Sequence, residues 1–195
     1  MGTKVHYISH PEVEVDPTRP VPRWRLSPRG IARMRAVAEE PALAPVRTIW
    51  ASTETKAIEA AGLLAGALGL PVRVLPELGE NDRSATGYLP PTEFERMADA
   101  FFARPDESVR GWESARSAQA RIVSAVDAVL RDSPEGEVAL VAHGGVGALL
   151  LAHLKGLPIS RELDQPRQGC RYVFDRERRV LLSEGWEPLP EGRAT

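Results

Sequence analysis

Apolar residues along this chain fall into two patterns, short continuous runs and longer stretches with helical spacing. The short runs are typical of strands buried in a parallel sheet, and they comprise residues 4–8, 48–51 and 138–142. The stretches with helical spacing comprise residues 57–68, 92–102, 113–130 and 146–154. Because strands and helices alternate, the pattern predicts an α/β fold, a three-layer α/β/α sandwich around a mainly parallel sheet.

The carboxyl-terminal part of the chain has a different pattern. Residues 170–184 alternate loosely and carry Asp175-Arg176-Glu177-Arg178 between two apolar runs, which predicts a β-hairpin. Residues 185–195 have no clear periodicity, and we expect a loose tail there. The 195 residues suffice for one core of ordinary size, so we expect a single domain over residues 1–195.

Two histidines follow predicted strands directly. His10 comes after the first strand, and His143 comes after the strand at residues 138–142. Ligands of open α/β sheets bind in the crevice outside the carboxyl ends of the strands, so both imidazoles are candidates for one site. Gly144 and Gly145 open the next helix, where free N–H groups favour an anion and the missing side chains allow close approach.

A third junction between a strand and a helix carries a lysine in an unusual place. Ser52 and Thr53 follow the strand at residues 48–51 and are candidate capping residues for the next helix. Lys56 lies in the first turn of that helix, where a cation opposes the helix dipole. An anion bound between the helix and the lysine would account for its position.

Five short motifs occur in order along residues 4–160. They are Ser9-His10-Pro11, Leu26-Ser27-Pro28-Arg29-Gly30, Ser52-Thr53-Glu54-Thr55-Lys56, Leu78-Gly79-Glu80-Asn81-Asp82 and Ala142-His143-Gly144-Gly145. In this order and spacing the chain resembles the histidine phosphatase superfamily, also called the phosphoglycerate mutase-like family. The resemblance implies a phosphoglycerate mutase-like fold and phosphate-ester chemistry through a phosphorylated histidine.

The chain departs from the family pattern at three positions. The resemblance aligns the family's first arginine with Ser9, the glycine after its histidine with Pro11, and its second arginine with Lys56. Both family arginines help to hold the substrate phosphate. Lysine cannot grip phosphate with a planar fork, so the expected pocket has one cation fewer and one weaker cation. Arg83 is a candidate replacement, as are Arg19, Arg23 and Arg25 in a proline-rich loop.

Hydrolysis of a phosphate monoester without metal requires a nucleophile, donors around the phosphoryl oxygens and an acid for the leaving alcohol. His10 is the candidate nucleophile, and His143 is a candidate donor to the phosphoryl oxygens. Glu80 is the candidate acid and Glu77 its rival, with the family alignment favouring Glu80. The candidate phosphate-binding residues are Ser9, Lys56, Arg83 and Gly144.

Charge and composition exclude several classes of function. The net charge of −2 gives no reason to expect nucleic-acid or membrane binding. The single cysteine, Cys170, excludes an intrachain disulfide, and we interpret it as a strand residue. His6 and His153 lack zinc-ligand spacing, so we expect no metal and no other cofactor. Without a signal peptide or an apolar membrane segment in the sequence, we expect a cytoplasmic protein.

The hypothesis favoured by the sequence is a metal-independent phosphatase that acts on a small phosphorylated molecule through phospho-His10. The alternative is a family relative without catalytic activity that binds an anionic ligand or a partner protein. A phosphoglycerate-type mutase ranks lower, because such an enzyme needs tight anion clamping and Ser9 and Lys56 do not favour it. The substrate is not specified by the sequence, and a homodimer is an open alternative to a monomer.

Overall fold

The computed structural model describes residues 2–192, and within them the chain forms six strands and five α-helices. The strands are β1 (Lys4–Ser9), β2 (Val46–Ala51), β3 (Val72–Val74), β4 (Glu137–Ala142), β5 (Cys170–Asp175) and β6 (Glu187–Pro188). The helices are α1 (Pro28–Ala38), α2 (Thr55–Leu68), α3 (Pro91–Ala103), α4 (Ala115–Asp132) and α5 (Gly144–Lys155). No helix in this part of the chain is long and apolar enough to cross a bilayer.

The six strands form one sheet in the order β3-β2-β4-β1-β5-β6. β1 to β4 are parallel where they pair, whereas β5 runs antiparallel to β1 and β6 runs antiparallel to β5. One face of the sheet packs against α1 and α2 through a core that includes Met34 and Leu64. The other face packs against α3, α4 and α5 through a core that includes Phe101, Val126 and Leu150. The prediction of an α/β/α sandwich with a mainly parallel sheet is confirmed.

The central pair of strands determines where the two candidate histidines lie. β1 and β4 are parallel neighbours, with Ser9 opposite Ala142 at their carboxyl ends. His10 continues this pairing, because its backbone N–H donates to the carbonyl of Ala142 at 3.0 Å. His10 and His143 therefore leave the sheet side by side.

The first two helices begin in different ways. The Ser27 hydroxyl accepts a hydrogen bond from the N–H of Gly30 at 3.1 Å and so caps α1. The N-cap of α2 is Glu54, not Ser52 or Thr53 as expected, and no side chain among the described residues caps this helix. The Ser52 hydroxyl instead contacts Nε2 of His143 at 2.7 Å and accepts a hydrogen bond from the N–H of Glu54 at 3.3 Å.

The predicted hairpin and the predicted tail both differ from the structure. After β5 the returning arm of the hairpin is limited to one bridge, between Phe174 and Leu181. The expectation of a loose tail is wrong for residues 186–192, because β6 pairs with β5 and Leu189 is buried. These residues are ordered by contacts distant in sequence, such as Trp186 against Tyr172 with ring centroids 4.8 Å apart. Residues 193–195 of the expected tail lie outside the described residues.

Candidate active site

His10 and His143 are in direct contact beyond the ends of β1 and β4. Their ring centroids are 5.2 Å apart with an angle of 71° between the planes. His10 is nearly buried and still lines a cavity, whereas His143 is completely buried and is not among the lining residues. The structure thus brings the two predicted histidines together and makes His10 the one that a ligand can reach.

Hydrogen bonding defines the tautomer of His10. Its Nδ1 lies 2.9 Å from the carbonyl oxygen of Pro11, which can only accept, so Nδ1 carries the hydrogen. Burial, followed by the charges of His143 and Lys56, holds the pKa of His10 well below its usual value. The neutral ring therefore keeps a free electron pair on Nε2, which is what a nucleophile at neutral pH requires.

His143 is surrounded by oxygen atoms on one side only. Its Nε2 lies 2.7 Å from the hydroxyl of Ser52 and 3.3 Å from a carboxylate oxygen of Glu54. Its Nδ1 is buried and has no hydrogen-bond partner among the described residues. Burial lowers the pKa of His143 although the charges of Glu54 and Glu80 oppose this change, so the ring is mainly neutral near pH 7.

Lys56 is buried next to a carboxylate that the sequence analysis did not single out. Its ammonium group donates to the carbonyl of Val21 at 3.0 Å and to the carboxylate of Glu54. Burial would raise the pKa of Glu54, but His143, Lys56 and hydrogen bonds lower it to about 2. The charge of Lys56 is therefore already compensated by an ionised carboxylate.

Glu80 occupies the amino terminus of α5. Its carboxylate accepts hydrogen bonds from the N–H groups of Gly145 at 3.0 Å, Val146 at 2.9 Å and Asn81 at 3.1 Å. The residue lines the same cavity as His10. The rival candidate acid, Glu77, is exposed and does not line it.

An arginine from α4 holds the loop that carries Glu80. The Arg121 guanidinium donates to the carbonyls of Glu77 at 2.7 Å, Gly79 at 2.9 Å and Glu80 at 3.2 Å. It also forms an ion pair with Glu113 at 2.7 Å. Sequence reasoning missed Arg121 because nothing in the helical pattern of α4 distinguishes it from a solvated surface arginine.

The structure corrects the expectation for Ser9. This residue is fully buried, and its hydroxyl is hydrogen bonded to the backbone of Cys170 and to the side chain of Gln165. It does not line the cavity, whereas Gln165 does. The side chain of Gln165 also lies over Gly144, since a Cβ at Gly144 would come within 2.1 Å of its Nε2. A neutral carboxamide therefore lies beside the amino terminus of α5.

Of the four arginines proposed as replacement cations, only Arg83 lies in the cavity. Its guanidinium carbon lies 5.1 Å from the ring centroid of Phe94 and 5.6 Å from that of Trp112. Within residues 2–192 it forms no ion pair, so its charge is available to a ligand. Arg19, Arg23 and Arg25 instead line a separate surface groove, where Arg19 pairs with Asp16 and Arg25 with Glu59.

The cavity in front of His10 has a volume of about 520 Å³, which suits a small organic molecule. An aromatic part of its wall consists of Trp24, Tyr88, Phe94, Phe101 and Trp112. A polar part includes Arg161, Asp164, Gln165 and Arg167. Burial raises the pKa of Asp164 to about 6 against the opposing charge of Arg161. In the described part of the chain, no three His, Cys, Asp or Glu side chains are arranged to hold a metal ion.

Comparison with known proteins gives one family and a set of similar folds. The model of the histidine phosphatase superfamily (branch 1) matches residues 18–185. The structure of YhfR from Bacillus stearothermophilus has a TM-score of 0.80 and 20% identity, covering 96% of this chain and 98% of that chain. No curated protein sequence matches this chain.

Two solved structures with phosphatase names are also similar. A mycobacterial glucosyl-3-phosphoglycerate phosphatase has a TM-score of 0.72 and 23% identity, covering 99% of each chain. The alpha-ribazole phosphatase from Shigella flexneri has a TM-score of 0.68 and 17% identity, covering 98% of this chain and 96% of that chain. At these identities the similarity establishes the fold alone.

Proposed function

Since this chain belongs to the histidine phosphatase superfamily, branch 1, we propose that it hydrolyses phosphate monoesters of small molecules through a phosphohistidine at His10. The proposal rests mainly on the tautomer, the protonation state and the accessibility of His10. Its Nδ1–H is bound to the carbonyl of Pro11, its ring is neutral, and it lines a cavity of small-molecule size. These are the properties that nucleophilic attack on phosphorus requires.

The residues around His10 supply the other parts of the reaction. Arg83 and the helix terminus at Gly144 contact the phosphoryl oxygens, and Lys56 adds positive charge at the same end of the cavity. Glu80 delivers a proton to the leaving alcohol oxygen. His143, expected as a donor to the phosphoryl oxygens, does not line the cavity. It contacts the ring of His10 instead and stabilises its orientation. Water then attacks the phosphohistidine and releases inorganic phosphate, and neither step needs a metal ion.

One set of contacts favours a second candidate function, a protein that binds an anion without turnover. Lys56 is already paired with Glu54, and the amino terminus of α5 is already capped by Glu80. A substrate phosphate therefore meets fewer free donors than an arginine-rich pocket would offer. Nothing in the cavity favours a mutase over a hydrolase.

A substrate screen tests this proposal against the alternative. Purified protein is incubated with a panel of phosphate monoesters, and released phosphate is measured with and without a chelator. The panel includes glucosyl-3-phosphoglycerate and alpha-ribazole phosphate, which occur in the names of similar structures. We expect chelator-insensitive turnover of at least one ester, abolished in His10→Ala. A folded protein that binds phosphate but turns over no ester would instead favour the binding function.

A further inference from the structure

The charged groups around His10 add up to no net charge. Glu54 and Glu80 contribute two negative charges, while Lys56 and Arg83 contribute two positive ones. His10 and His143 are buried and lie 5.2 Å apart between their ring centroids, and the pKa of each is lowered towards the neutral form.

The polar part of the cavity wall adds no net positive charge. Arg161 pairs with Glu95 at 2.6 Å and with Asp164 at 3.2 Å, and Arg167 pairs with Glu191 at 3.1 Å. At the position where the family has its first arginine, the cavity instead receives the neutral amide of Gln165.

A phosphate ester that carries two negative charges would add both of them to a set of charged groups that has no net positive charge. Transfer of a charge from water into a partly buried site is unfavourable unless opposite charges and donors compensate it. The ionised carboxylates of Glu54 and Glu80 also repel the second charge at short range. A phosphate group that carries one proton brings only one negative charge, and this charge can pair with Arg83, which lines the cavity and forms no ion pair within residues 2–192.

We infer that this site takes the phosphate group of its substrate as the monoanion, and that the proton on the phosphate is the proton that leaves with the alcohol. The inference rests on the proposed function and names the ionic form of the substrate. Glu80 is suited to the transfer because three N–H groups hold its carboxylate in place. A carboxylate has about four acceptor sites, so one remains for the P–OH group.

The step balances in atoms and charge. The Nε2 electron pair of His10 forms the N–P bond, and the P–O bond to the alcohol breaks. The P–OH proton moves to Glu80 and from there to the leaving oxygen, which departs as the neutral alcohol. The product at His10 is a phosphoryl dianion on an imidazolium whose Nδ1–H stays bound to Pro11, so the net charge of minus one is conserved. Attack of water then releases phosphate as its monoanion.

The inference is tested by anion binding, independently of turnover. Affinities for inorganic phosphate and for sulfate are measured by calorimetry at several pH values across the second ionisation of phosphate. We expect phosphate binding to weaken about tenfold for each pH unit above that ionisation, as only the monoanion binds. Sulfate remains a dianion throughout, so its binding should stay weak and nearly independent of pH.

The sulfate series also separates substrate ionisation from enzyme ionisation. If His10, His143 or Asp164 caused the pH dependence, sulfate binding would strengthen at low pH in parallel with phosphate binding. Such parallel behaviour overturns the inference. Phosphate binding that is equally strong above the ionisation, or absent at every pH, overturns it as well.

A variant that removes one negative charge provides a second test of the charge argument. Glu54→Gln keeps the size of the side chain and removes one negative charge beside His143, so binding of sulfate and of phosphate dianion should strengthen by about tenfold. Glu77→Gln removes the same charge from an exposed position outside the cavity and should leave both affinities unchanged. Equal effects of the two variants, or no effect of Glu54→Gln, would contradict the charge argument.

Turnover distinguishes this inference from the proposed function. For an active enzyme, kcat/KM should fall above the second pKa of the substrate, which is about 6 for a phosphate monoester. When phenyl phosphate is replaced by its more acidic thiophosphate analogue, kcat/KM should begin to fall at a lower pH. If kcat/KM fell at the same pH for both esters, the inference would be overturned and the phosphatase function would stand. If the protein bound the phosphate monoanion selectively but turned over no ester, the preference for the monoanion would stand and the phosphatase function would be overturned.

Discussion

The carboxylate of Glu54 lies 3.3 Å from Nε2 of His143 and is hydrogen bonded to Lys56 and to the N–H of Glu80. One largely buried carboxylate, with 12% of the side chain exposed, thus connects the junction after β2, the buried histidine and the loop of the candidate acid. Its position places an internal anion where a phosphatase of this family would concentrate positive charge. This relationship accounts for the weak anion binding expected of the site and for the acid sensitivity expected of the fold.

Glu54 should make the protein sensitive to acid. Its pKa falls from 4.5 to about 2 on folding, so its contribution to stability is complete above the unfolded value and disappears as pH falls through the folded value. The shift corresponds to at most about 3–4 kcal/mol. Glu54→Gln should lose most of its stability difference from the wild type below about pH 3. Urea unfolding at a series of pH values measures this, and a constant difference would contradict it.

His10 should become covalently phosphorylated. The protein is incubated with a reactive phosphate donor, quenched in alkali and mapped by mass spectrometry, since a phosphohistidine is stable to alkali and labile to acid. We expect the label on His10 and none in His10→Ala. His6→Ala is the matched control, because His6 lies within β1 and is hydrogen bonded to Glu137. Label on Cys170 or on a serine would refute the assignment.

The proton carried by Glu80 should matter most for poor leaving groups. Glu80→Gln should slow hydrolysis of alkyl phosphates by about 10²–10⁴-fold, the usual value of general acid catalysis. Nitrophenyl phosphate should be affected much less, because its leaving group needs little protonation. Glu77→Gln should have little effect on either ester. If the two variants exchanged these effects, the proton donor would be Glu77.

Arg121 should act as a positioning residue for Glu80. Arg121→Met removes the hydrogen bonds to the carbonyls of Glu77, Gly79 and Glu80, and the loop should move by a fraction of an ångström or more. Displacements of this size cost on the order of 10–100-fold in rate. Turnover of alkyl esters should therefore fall while KM and the rate with nitrophenyl phosphate change little.

A variant on the same helix separates positioning by Arg121 from general loss of stability. Arg116 also lies on α4, and Arg116→Met removes an exposed ion pair with Asp106 and should leave all rates unchanged. Equal losses on both esters with Arg121→Met would indicate that the arginine is only structural.

The sequence predicted β1, β2, β4, β5 and the histidine pair because these features depend on local patterns. Apolar runs and helical periodicity determined the elements, and parallel strands necessarily bring His10 and His143 to one edge. The ion pair of Lys56 with Glu54 was missed although the two residues are close in sequence, because the direction of a side chain at a helix start depends on tertiary contacts. The ordering of residues 186–192 was missed because Trp186 and Leu189 bury their side chains against distant parts of the chain.

Ser9 is the position where restoring a family residue should be most informative. Ser9→Arg alone should destabilise the fold by about 1–3 kcal/mol, because the larger side chain must fit a fully packed position. Gln165→Gly removes the carboxamide that is bonded to Ser9 and lies over Gly144. The combined variant should therefore fold better than Ser9→Arg and direct the guanidinium towards His10.

The added cation should change which ionic form of phosphate binds. In the combined variant the charged groups around His10 add up to a net positive charge. Binding of the phosphate dianion should therefore strengthen, and the affinity for phosphate should fall less at high pH. If the protein is active, turnover should rise, since one oriented donor to a developing charge is worth about 10²–10³-fold. Gln165→Gly alone serves as the control and should produce neither change. A folded combined variant with the phosphate affinity and pH dependence of the wild type would mean that an arginine at this position cannot reach the phosphate site.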